Sequence, residues 1–113
     1  MNASVCGFTD GPVRSAKINQ IWTPMAIILW EPDETLIKPA TGQPVGAMTF
    51  NDAASIPDIT LGEGVGNLHG SGGVCLVLDG HVETVSLKKF EAEERSTEKS
   101  LLWWSPWSST GHY

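Results

Sequence analysis

The stretch Leu68-His69-Gly70-Ser71-Gly72-Gly73-Val74-Cys75-Leu76-Val77-Leu78-Asp79-Gly80-His81-Val82-Glu83 constrains the fold of this chain more than any other. A glycine-rich approach leads into an apolar run, an Asp-Gly pair and a second run of strand-forming residues. Asp-Gly tolerates the positive φ angles of a tight hairpin turn, so the pattern predicts a β-hairpin over residues 74–85. A two-residue turn would set Leu78 opposite His81, Val77 opposite Val82 and Leu76 opposite Glu83. Cys75, Val77, Val82 and Thr84 would then share the core side, with Leu76 and Leu78 on the other face. Ser86 is suited to cap a short helix near residues 86–94, which Leu87 and Phe90 would anchor one turn apart. Lys88 and Lys89 at its start and Glu93 and Glu94 at its end oppose the helix dipole, which keeps it short.

Upstream, residues 25–30 form a continuous apolar run between Pro24 and Pro32. It is too short for a typical helix and reads as a buried central strand over residues 27–30. Residues 17–22 alternate weakly, with Ile18 and Ile21 as anchors. Residues 3–8 read as a short strand ending in the turn signal Thr9-Asp10-Gly11-Pro12. From residue 32 to residue 66 the chain is interrupted by Pro32, Pro39, Pro44 and Pro57 and by Gly42, Gly46, Gly62, Gly64 and Gly66. Only residues 47–50 look strand-like there, so the segment is expected to be a long irregular excursion. The tail carries Trp103, Trp104 and Trp107 and should pack back on the body, because a solvated tail rarely holds three tryptophans. The expected fold is α+β in a single domain over residues 1–113: mainly antiparallel β-sheet, one hairpin, one short helix and long irregular loops.

The formal net charge of −6 argues against nonspecific nucleic-acid binding, which needs a basic face, and against anionic membrane surfaces. The apolar run at 25–30 is far below the length needed to span a bilayer, so no membrane insertion is expected. No basic segment followed by a long apolar run is visible near Met1. Cys6 and Cys75 allow one disulfide, but burial as small hydrophobic side chains is the simpler expectation. A bridge would need the first strand beside the hairpin and an oxidising compartment. The chain contains no phosphate-binding Gly-Lys-Ser/Thr loop, no GxSxG elbow, no CxxC pair and no HExxH motif, so nucleophilic catalysis and zinc hydrolysis have no positive support.

His69 and Asp79 invite pairing as a metal or catalytic dyad. An extended run over 74–78 keeps them roughly 17 Å apart, at about 3.3 Å per residue. Asp79 and Gly80 therefore read as turn chemistry, and His69 as an imidazole anchoring its loop to backbone. Glu31, Asp33 and Glu34 offer oxygen ligands for a hard cation such as calcium, although a solvated strand end has the same composition. Glu31 and His81 would become neighbours if the strand at 27–30 pairs with the hairpin. Trp22, Trp30, Trp103, Trp104 and Trp107 are large flat surfaces suited to sugar stacking, a core or an interface.

His69, nine intervening residues and Asp79-Gly80 resemble the prepilin-type His-x9-Asp-Gly domain near the C-terminus of many bacterial pseudopilin-like proteins. Other segments resemble the family in the same order. These are Met1-Asn2-Ala3-Ser4-Val5, Lys17-Ile18-Asn19-Gln20-Ile21 with Thr23-Pro24, Ile27-Ile28-Leu29-Trp30-Glu31 with Asp33-Glu34, His81-Val82, and Leu102-Trp103-Trp104-Ser105-Pro106. The resemblance implies a non-enzymatic globular domain acting through protein–protein contacts, self-association included, in a secretion or surface-filament context. It further implies a periplasmic or cell-surface location, although no export signal is visible, and it supplies no catalytic residue and no cofactor. Such proteins begin with a cleavable leader and a long hydrophobic helix. This chain shows neither and is expected to correspond to the C-terminal globular part. The alternative expectation is a small carbohydrate- or cation-binding module using Trp103, Trp104 and Trp107 or the Glu31/Asp33/Glu34 acids, with calcium as the candidate cation. An enzyme of unknown type ranks third.

Overall fold

β-branched and apolar residues on either side of Asp79-Gly80 form two adjacent antiparallel strands, and the apolar run after Pro24 adds a third. The computed structural model of the chain describes residue 2 and residues 16–32, 55–59 and 63–112. Within these, β1 (Ile27–Trp30), β2 (Gly72–Val77) and β3 (Val82–Ser86) form one antiparallel sheet in the order β1-β2-β3, and α1 (Leu87–Glu94) follows β3 directly. This is the expected α+β architecture. The expected strand at 3–8, the turn at 9–12 and the strand-like residues 47–50 lie outside the described residues, as do Cys6, Asp33 and Glu34.

Three sequence expectations need correction. First, β1 is not central; β2 is. The run at 27–30 is buried because other parts of the chain cover its free side. Ile27 N donates to Leu101 O at 2.8 Å and Asn2 N to Ile28 O at 2.8 Å, while Trp104 Nε1 donates to Ile27 O at 3.1 Å. Burial of Ile27 and Trp30 therefore did not require two strand neighbours, and Ile28 and Leu29 between them stay partly exposed.

Second, the hairpin turn holds three residues rather than two. Gly80 N donates to Val77 O at 2.9 Å, and Val77 N donates to His81 O at 3.0 Å. The loop is Leu78-Asp79-Gly80, with Gly80 at φ +95°, the arrangement in which a type I turn is followed by a left-handed glycine. The extra residue sets Leu76 opposite Val82 and Cys75 opposite Glu83. A one-residue slip turns side chains to the other face. Val85 thus joins Cys75 and Val77 in the core, while Val82 is 62% exposed.

Third, residues 18–20 form a single 3-10 turn rather than an alternating strand, and Ile18 is exposed. Lys17 N donates to the Gln20 side chain at 2.9 Å and closes that turn locally.

β1 carries a bulge. Ile27 faces Val77, whereas Leu29 faces Leu76 and Trp30 faces Cys75. The extra residue shifts the alternation, so that Ile27 and Trp30 both reach the core and Leu29 is left on the opposite face. α1 closes the core from the same side. Its N-cap is Ser86, whose Oγ accepts from Lys89 N at 3.2 Å, and Phe90 is fully buried. Ile27, Trp30, Val65, Cys75, Val85, Phe90 and Leu102 form the core, with Leu87 packed against it. Trp30 and Phe90 meet edge-to-face at 5.5 Å between ring centres. The tail packs back as expected, with Leu102, Trp103 and Trp104 all buried. Among the described residues no helix is long and apolar enough to cross a membrane.

Candidate functional site

The face of the sheet turned away from α1 is the surface that these register shifts create. Leu29, Trp30, Glu31, Val74, Leu76 and Val82 line a shallow depression of about 460 Å³ on it. On this face Leu29, Val74 and Leu76 are half-buried and Val82 is exposed. A two-residue turn would have sent Val82 inward. The three-residue loop turns it outward and lengthens the apolar strip across β1, β2 and β3.

A carboxylate–imidazole pair stands at each end of the strip. At one end Glu31 closes β1. Its N–H donates to Val74 O at 2.9 Å, and its carbonyl accepts from Gly66 N at 2.7 Å. Its Oε2 accepts from Val74 N at 3.3 Å and lies 3.0 Å from His69 Nε2. His69 is held in place by its own N–H, which donates to Gly72 O at 3.0 Å. The imidazole therefore anchors its loop through a strand-end carboxylate rather than through backbone. Both partners remain partly exposed.

At the other end Asp79 Oδ1 accepts from His81 N at 3.0 Å and sits 2.6 Å from His81 Nδ1. These two hydrogen bonds, the backbone one foremost, hold the Asp79 carboxyl below its ordinary range. Asp79 thus ties down the hairpin turn. His69 and Asp79, the two ends of the His-x9-Asp-Gly pattern, flank the six residues of β2, a strand of roughly 20 Å. They do not form a common site. Glu31 and His81 do not meet either. Glu31 is level with Val74 and His81 with Val77, a separation of about 10 Å along β2.

Cys75, on β2 between the two pairs, is a free thiol buried in the core. Burial, assisted by the charge of Glu83 across the strand pair, pushes its pKa up to about 12. A thiol held protonated in this way is a packing group rather than a reagent. Among the described residues no three His, Cys, Asp or Glu side chains converge to hold a metal ion. Of the three acids considered for calcium, Glu31 is engaged by His69 and Val74, and Asp33 and Glu34 lie outside the described residues.

The tryptophans divide differently from the sequence expectation. Trp103 and Trp104 are buried and offer no stacking surface. Their indole N–H groups are satisfied internally: Trp103 Nε1 donates to Glu94 O at 2.6 Å, and Trp104 Nε1 to Ile27 O. Trp103 also stacks on His112 at 4.1 Å. These hydrogen bonds fasten the tail to α1 and β1, which is why an apolar tail segment became structural. Trp107 and Trp22 are half exposed. Sequence reasoning undervalued Trp22 and Leu29. The signals that mark them are the proline after Thr23, which ends regular structure beside Trp22, and the bulge in β1, which no residue pattern announces.

The sequence matches no protein-family model, and no match is found among curated proteins or solved structures.

Proposed function

We propose that the chain is the globular part of a pseudopilin-like assembly subunit and works through protein–protein contacts in a secretion or surface-filament context. The observation that carries this reading is the apolar strip on the outer face of the sheet, where Leu29, Val74 and Leu76 are half-buried and Val82 is exposed. Contiguous exposed apolar surface on a small domain marks a contact site more often than a bystander. β3 borders the strip and has β2 as its only strand neighbour among the described residues, so face and edge can be covered together.

A second copy of the chain suits this surface. The chain carries a net charge of −6, and like-charge repulsion opposes its self-association. The carboxylates at the two ends of the strip are each engaged by an imidazole, Glu31 by His69 and Asp79 by His81. Association through the strip therefore rests on burial of apolar surface rather than on charge complementarity.

Sedimentation velocity over a concentration series tests the reading. The wild-type chain is expected to show a sedimentation coefficient that rises with concentration. Val82→Lys should abolish the rise, and because Val82 is already exposed, the fold should persist by circular dichroism. A wild-type chain that stays monomeric throughout, or an association that survives both Val82→Lys and Leu76→Lys, rejects the proposal.

A further inference from the structure

The chain after the 3-10 turn passes close to the C-terminal end of α1. A cleft of about 410 Å³ lies there, lined by Trp22, Glu93, Ser96, Lys99, Ser100 and Leu101. Its volume falls within the roughly 300–1,000 Å³ of small-molecule sites. Trp22 is 51% exposed and presents indole surface to the cleft, while Leu101 packs against the core.

The floor of the cleft is fixed by hydrogen bonds. Ser96 Oγ donates to Glu98 O and accepts from Glu98 N. Ser100 Oγ donates to Glu93 O and accepts from Leu102 N and Trp103 N. Glu93 Oε2 accepts from Leu101 N at 2.8 Å. Both serine hydroxyls are therefore committed to backbone. Lys99 and Glu93 are the two charged residues that line the cleft.

One ammonium and one carboxylate offset each other, which favours an uncharged ligand over a phosphate or a polycation. A ligand that donates to a carboxylate, accepts from an ammonium and covers an indole face must combine hydroxyl groups with an apolar C–H face. We infer that this cleft is a binding site for a neutral saccharide, with one pyranose ring stacked on Trp22 and its hydroxyls bridging Lys99 and Glu93. The site shares no residue with the outer face of the sheet, so it stands or falls independently of the assembly reading.

Saturation-transfer NMR on the intact chain, with cellotetraose, maltotetraose and tri-N-acetylchitotriose as probes, tests the assignment. At least one probe is expected to receive saturation on ring C–H protons. Trp22→Ala should weaken its binding by about ten-fold, the loss expected when an aromatic stacking partner is removed. Lys99→Met, which keeps the aliphatic stem, should weaken binding with an unchanged melting temperature, and Trp107→Ala should leave it intact. Absence of transfer to all the probes at millimolar concentration overturns the inference, and so does binding that survives Trp22→Ala. If Trp22→Ala fails to fold, Lys99→Met decides: undiminished binding in that variant also overturns it.

Discussion

Cys75 should be almost inert in the folded chain, and its reactivity should report opening of the sheet. The thiol is fully buried on β2, where it faces Glu83 across the strand pair. Desolvation, then the nearby Glu83 charge, raise its pKa from 9.0 to about 12, with Lys89 opposing. At pH 8 this reduces the thiolate population roughly a thousand-fold relative to an unperturbed thiol, and the thiolate is the reacting form. Steric exclusion adds to that factor. The assay is alkylation by iodoacetamide at pH 8 in a Cys6→Ser background, with and without denaturing urea. The native rate should be at least about a thousand-fold below the denatured rate. The same shift gives a pH dependence of stability. The folded-state pKa lies above the unfolded one, so the folded state holds the proton more tightly. Stability is fully present below pH 9 and declines as pH rises from 9 towards 12. A Cys75→Ala variant should lose that alkaline decline. A native alkylation rate within ten-fold of the denatured rate would refute both the placement of Cys75 in the core and the packing of α1 over it.

Further outcomes follow from the packing and the turns. Phe90→Ala removes a fully buried ring that meets Trp30 edge-to-face and should cost about 3–5 kcal/mol in urea unfolding; a loss below about 1 kcal/mol would mean that α1 does not seal the core. Gly72→Ala would drive a Cβ into the carbonyl oxygen of Val85, whereas a Cβ at Gly70 meets nothing within 4 Å and strains only the left-handed backbone at that position (φ +82°). Amide shifts should therefore spread along β2 and β3 in Gly72→Ala and stay local in Gly70→Ala, and equal spread in both would contradict the register. The Asp79 carboxyl should titrate below 3.8 by NMR. Its contribution to stability is present above that value and fades as pH falls through the lower folded-state midpoint. His81→Ala should raise the midpoint only partway, because the backbone N–H of residue 81 still donates. An unchanged midpoint would remove the imidazole from the account of the turn.

Local sequence determined the elements that rest on short-range chemistry. Asp79-Gly80 between apolar runs specified a hairpin, and Ser86 followed by Leu87 and Phe90 specified a capped helix. The apolar run between Pro24 and Pro32 specified a strand. Each depends on turn propensity, capping or periodicity within a few residues, so each was legible before the fold was known.

Whatever depended on a one-residue count or on a distant partner was decided by tertiary structure. The Asp-Gly pair fits a two- or a three-residue loop, and only packing against β1 and α1 selects the register that buries Val85 and exposes Val82. The bulge in β1 puts Ile27 and Trp30 on one face, which strict alternation forbids. Glu31 was legible as an acid at a strand end. Its pairing with His69 required the glycine-rich loop to fold back over that end. Five tryptophans were legible as aromatic surface. Their division into the buried Trp30, Trp103 and Trp104 and the half-exposed Trp22 and Trp107 was set by which segments meet them in the fold, Trp104 reaching Ile27 O and Trp103 reaching Glu94 O across the chain. A linear sequence does not state that distance, because burial is a property of which segments meet and not of the residues alone.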